Sequence, residues 1–157
     1  MNKKFTSIQK LIYGLCALGA LIIIIDFLSP GELKTEKIID IQKEKENYNN
    51  AAGNYHYSYE VLTSSSRFSV SEEIAKKVKG NEEIEFATSF IFKEVNWYSI
   101  QENREKNIDS LRLASGLLVP LITLIILGFS FFRNKELSTL VFIVQLLLLA
   151  DLIYLIL

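Results

Sequence analysis

The chain has 157 residues, half of them apolar, with 17 Lys and Arg against 18 Asp and Glu and a net charge of -1. That balance argues against nucleic-acid binding, and a single cysteine excludes an intramolecular disulfide or a cysteine zinc site. The apolar residues concentrate in three blocks, 11–28, 113–132 and 137–157, which leaves about 80 residues between the first two and speaks against a multilayered soluble enzyme.

Residues 1–10 carry Lys3, Lys4 and Lys10 and no acid. They read as a cytoplasmic N-terminus under the positive-inside rule. Block 11–28 has 18 residues, close to the roughly 20 that a helix needs to cross about 30 Å of hydrocarbon. It is longer than the usual signal-peptide core and lacks a small-residue cleavage site, so it reads as an uncleaved signal anchor. Leu15 occupies a position where a lipobox before Cys16 needs a small residue. Cys16, Gly19 and Ala20, at i, i+3 and i+4, form a small-residue face on which another helix could pack closely. Asp26 is about one turn from the end of this span and reads as reaching the headgroups.

Pro30-Gly31 ends the span. Residues 31–110 form an insert expected outside the cytoplasm. Residues 36–42 suit a strand or a stalk, and the polar stretch 43–53 reads as a loop. Residues 55–61 alternate Tyr55, Tyr57, Tyr59 and Val61 with His56, Ser58 and Glu60, the period-two signature of a half-buried strand. A hydroxyl-rich turn at 63–66 leads to a second strand at 67–70, with Phe68 and Val70 inward. Ser71 then caps a short helix, with Glu72 and Glu73 at its start, Lys76 and Lys77 at its end, and Gly80 as the stop. From Glu83 a long strand is expected, carrying Ile84, Phe86 and Phe90 on one face and apolar on both faces after Ala87. Phe86, Phe90 and Tyr57 are the expected core. Trp97 and Tyr98 fit equally a membrane-interface belt or ordinary core packing.

Residues 113–132 and 137–157, with 20 and 21 residues, read as the second and third spans, joined by a cytoplasmic turn at 133–136. The two inner segments then hold five bases against one acid, while residues 31–112 hold 12 bases against 15 acids. The expected fold is therefore α+β: three transmembrane helices, with a small antiparallel β roll or barrel of three to five strands and one short helix inserted between helices 1 and 2. The composition leans toward a multi-pass protein of a bacterial inner or plasma membrane.

No nucleotide-binding, zinc-protease or hydrolase motif is present, and the sequence suggests no catalytic, cofactor or metal residue. His56, Ser58 and Glu60 share the polar side of one strand, where side-by-side neighbours are usually just solvated. Polar groups within the spans are the stronger signal, because an ionisable side chain in lipid costs a few kcal/mol. Asp151 lies six residues from the end of span three and is expected to pair with Arg112 at the mouth of span two. Gln145, deeper in the same span, is expected to hydrogen-bond to a neighbouring helix. The reading that follows is a non-enzymatic accessory subunit or interaction module of a membrane complex, whose partners are membrane lipid and another membrane protein or a second copy. The alternative is a component of an ion- or proton-coupled transporter or channel that uses the intramembrane carboxylates.

Overall fold

The computed structural model describes residues 6–29, 31–47, 55–78, 81–100, 105–133 and 138–156. Among these residues the chain is α+β, with three helices long and apolar enough to cross a membrane and two small antiparallel sheets. It divides into a helical unit (Met1–Gly31, Ser89–Glu94 and Ser110–Leu157) and a β unit (Glu32–Thr88 and Val95–Asp109).

In the helical unit, α1 spans Ser7–Leu28. It starts before the apolar block because Thr6 and Gln9 form a reciprocal cap: the Gln9 amide donates to Thr6 Oγ1 at 3.2 Å and the Thr6 amide to Gln9 Oε1 at 2.9 Å. Two of the free amides of the first turn are thereby satisfied. The second candidate span, Ser110–Phe132, is not a uniform helix. It begins as α3 (Ser110–Leu113), widens into a π-helical turn at Ala114–Leu118 and continues as α4 (Val119–Arg133). Pro120 explains the position of that turn, since its nitrogen has no hydrogen to give to the carbonyl four residues earlier and its ring crowds that carbonyl. The last helix, α5, spans Ser138–Ile156. Ala20 and Ile23 of α1 share a buried cluster with Leu148 and Leu155 of α5, with Cys16, Leu124 and Leu152 packed against it.

Among the described residues the β unit holds six strands where the sequence suggested a single roll of three to five. β1 (Leu33–Lys37), β5 (Glu83–Thr88) and β6 (Val95–Ile100) form one sheet in the order β1-β5-β6; β2 (Asp40–Asn47), β3 (Tyr55–Leu62) and β4 (Arg67–Val70) form the other in the order β2-β3-β4. The chain changes sheets within two residues: the Ile38 amide donates to the Glu82 carbonyl at 2.9 Å, and the Ile39 amide to the Leu62 carbonyl at 2.8 Å. Ile38, Val61, Ile84, Phe86 and Tyr98 are buried in one core that both sheets share, together with Tyr59, Val70 and Val78. The short helix α2 (Glu72–Lys77) is capped by Ser71, whose Oγ accepts from the Ile74 amide at 3.4 Å, as its sequence predicts. The Tyr98 hydroxyl accepts from the Ser71 amide at 3.2 Å, and burial raises the Tyr98 pKa.

Three expectations need correction. The loop expected from Lys43 is strand as far as Asn47, and residues 48–54 lie outside those described. This strand carries no apolar alternation; its pairing with β3 over Asp40↔Leu62 through Asn47↔Tyr55 holds it, so hydropathy could not reveal it. The long strand from Glu83 is two strands, because β5 ends at Thr88 and the chain turns through Ser89–Glu94 with Lys93 at φ 63° before β6. Phe90 lies in that turn and is 68% exposed, and Tyr57 is 41% exposed, whereas Phe86 is fully buried. Of the expected core trio only Phe86 is core. Tyr98 is core as well, while Trp97 is half-buried under the Lys106 ammonium, 4.1 Å from its ring.

Candidate functional site

Two arrangements stand out, one in each unit. The first is a buried group of charges in the helical unit. Asp26, in the last turn of α1, has a side chain with no solvent exposure, contrary to the expected reach to the headgroups. Its Oδ2 accepts from Arg112 Nη2 at 3.2 Å, and its Oδ1 accepts from the backbone amide of Ile91 at 2.5 Å. Arg112, 4% exposed, lies in α3, and its guanidinium carbon is 5.5 Å from the centre of the Phe27 ring. The expected partner of Arg112 was Asp151; the ion pair that the structure records joins it to Asp26. That α4 and α5 are neighbours does not set which face of either helix carries its charge.

Asp151 is buried all the same, and its Oδ2 has no hydrogen-bond partner among the described residues. The Arg112 charge acts on it and also on Glu94. Burial pushes the Glu94 carboxyl above the usual carboxylate range; the Arg112 charge opposes that shift and the Asp26 charge adds to it. One guanidinium charge thus bears on three acids, of which Asp26 is paired with it. They do not converge as ligands, for among the described residues no group of three or more His, Cys, Asp or Glu is placed to hold a metal ion.

The close approach beside this group falls on a glycine that sequence inspection missed. A Cβ on Gly116 would stand 2.3 Å from Phe27 Cδ2 and 2.8 Å from Cγ, so the π-helical turn lies directly against α1 there. The expected packing residues behave differently from one another. Ala20 is fully buried against α5 and Cys16 packs beside it, so both serve contacts within the chain, whereas a Cβ on Gly19 would meet nothing within 4 Å. Gln145 approaches the Cys16 thiol, while its Nε2 has no hydrogen-bond partner among the described residues.

The second arrangement is a face of the β2–β3 hairpin. β4 pairs with β3 only over Tyr59↔Val70 to Leu62↔Arg67, so the distal part of the hairpin is two strands wide. Tyr55 and Tyr57 pack edge to face, with centroids 5.5 Å apart, and both are exposed. Lys45 lies 4.0 Å from the Tyr55 ring and Lys43 lies 3.7 Å from the Tyr57 ring, favourable cation–π distances. On the other face, Arg67 pairs with both Glu60 and Glu44. The tyrosine alternation was legible in the sequence, but not that the shared core takes in Tyr59 and Val61 and leaves Tyr55 and Tyr57 exposed.

No protein-family model, curated protein or solved structure matches the chain.

Proposed function

We propose that the protein is a non-enzymatic accessory subunit or interaction module of a membrane complex, with its β unit outside the cytoplasm and the Tyr55–Tyr57 face as its docking surface. The observation that carries this reading is the exposure of two adjacent aromatic rings, each with a lysine over it, on a hairpin whose β2 strand is also a sheet edge. Aromatic side chains are enriched at protein interfaces because they bury a large area at low entropic cost, and an unpaired strand edge can add a strand from a partner. The partner is the extracytoplasmic segment of another membrane protein or of a second copy. The orientation follows from Lys3, Lys4 and Lys10 near the start of the chain and from Arg133 and Lys135, in the sense of the positive-inside rule, and the membrane is a bacterial inner or plasma membrane.

A photo-crosslinking amino acid at Tyr57, in native membranes, tests the reading. One discrete adduct that is lost in a Tyr55→Ala background supports it. Absence of an adduct, or the same diffuse pattern given by a probe at Ser64, refutes it.

The buried Asp151 carboxylate, with one oxygen lacking a hydrogen-bond partner, favours a second reading: part of an ion- or proton-coupled transporter. Three spans do not enclose a path, so this version needs an oligomer. Proton flux in liposomes that disappears in Asp151→Asn would support it, and flux indistinguishable from empty liposomes would exclude it.

A further inference from the structure

The turn Ser89–Glu94 connects two strands of the β unit yet belongs to the helical unit. Three observations hold it there. The Ile91 amide donates to Asp26, two residues before the end of α1; Phe92 packs against the cluster of Ala20, Ile23, Leu148 and Leu155; and the Ser89 amide donates to the Glu94 carbonyl at 2.8 Å, which closes the turn. The tip points its apolar groups elsewhere: Phe90 is 68% exposed and Ile91 52% exposed. Lys93 adopts φ 63°, and its ammonium lies 5.4 Å from the Phe90 ring. A lysine does not take a left-handed backbone readily, so the tight turn is held by its surroundings.

Depth decides what covers this tip. At 1.5 Å per residue, the 22 residues of α1 span about 33 Å, slightly more than the roughly 30 Å hydrocarbon core. Asp26 therefore sits about 3 Å below the end of the helix, at the edge of the hydrocarbon, and the Ile91 amide bonded to it is at the same level. Leu28 and Leu111, exposed by 67% and 60%, present apolar surface at the same end of the helices. A non-helical backbone is tolerated at such a depth only where protein satisfies its polar groups, and the Asp26 carboxylate does this for the Ile91 amide.

We infer that the Ser89–Glu94 turn is a lipid anchor, with Phe90 and Ile91 inserted at the hydrocarbon edge of the bilayer and Lys93 extending to headgroup phosphates. Lysine suits the place, because its aliphatic stem lies along apolar surface while its charge reaches the anionic layer. The inference rests on the membrane assignment of the three helices and not on the tyrosine docking face.

The test uses the full chain in phosphatidylcholine and phosphatidylglycerol liposomes. Trp97 is the single tryptophan, so Phe90→Trp in a Trp97→Phe background gives one fluorophore at the tip. Protein that floats with the liposomes should show blue-shifted emission, loss of fluorescence with lipids labelled near the headgroup, less loss with lipids labelled at mid-bilayer, and little loss with aqueous iodide. Ile91→Trp in the same background repeats the measurement should the first variant not fold. Quenching by iodide in place of lipid places the tip in water and overturns the inference, as does quenching by neither, which would mean that protein covers it. A chain that does not float overturns the membrane assignment and the anchor together.

Discussion

Replacing Asp26 by leucine tests whether the buried ion pair ties α1 to α3. The substitution removes the carboxylate paired with Arg112, which is 4% exposed, and removing one member of a buried pair costs about 3–5 kcal/mol. Arg112→Leu should cost a similar amount, because it strands the carboxylate in the same place. The double variant should be far milder than the sum of the two. It leaves neither member of the pair facing an empty place, and its main costs are the Ile91 amide deprived of its 2.5 Å acceptor, about 1–3 kcal/mol, and the loss of the Arg112 charge that acts on Glu94 and Asp151. Asp26→Asn separates the two roles, for it keeps an acceptor for Ile91 but removes the charge that faces Arg112. The assay is reversible unfolding in mixed micelles by added ionic detergent, followed by helical circular dichroism, on the wild type and the three leucine variants. A double variant that loses as much as the two singles combined would refute the pairing. If the coupling appeared instead between Asp151 and Arg112, the arrangement of charges around the guanidinium would be wrong.

Gly116→Ala should destabilise the helical unit by about 1–3 kcal/mol, because the new methyl meets the Phe27 ring, while Gly19→Ala, with open space around it, should be neutral in the same unfolding assay. Phe86→Ala should lower the stability of the β unit by about 3–5 kcal/mol and shorten its survival under limited proteolysis; Phe90→Ala should leave that survival unchanged. Burial works to raise the Glu36 pKa, but hydrogen bonds from Ser65, Thr63 and Ser64 outweigh it and lower the value to about 2. A carboxyl whose folded pKa lies below its ordinary 4.5 contributes stability that is complete above pH 4.5 and is lost as the pH falls toward 2. Glu36→Gln should therefore flatten the stability of the β unit between those limits, as read by near-ultraviolet circular dichroism across a pH series, and a variant with the wild-type slope would show that another group titrates.

The three long apolar helices, the tyrosine strand and the cap of α2 were legible in the sequence, because each depends on residues close together in the chain. About 20 apolar residues make a span wherever they occur. Period-two alternation marks a half-buried strand, and a serine before two glutamates marks a helix start. Other features depend on groups far apart in the chain, and no local pattern encodes them. Nothing near Asp26 in the sequence marks it as buried; Arg112 and the Ile91 amide, which bind its carboxylate, lie 86 and 65 positions away. β2 carries charges where a strand pattern expects apolar groups, and it is a strand because β3 supplies its hydrogen bonds and tyrosine rings for its lysines. Phe90 sits in an apolar run that matches a core strand, yet the turn around Lys93 takes it out of the sheet. The alternation in a sequence says that a side chain has an apolar side; whether sheet, helix or lipid meets that side is decided only when the chain has closed on itself.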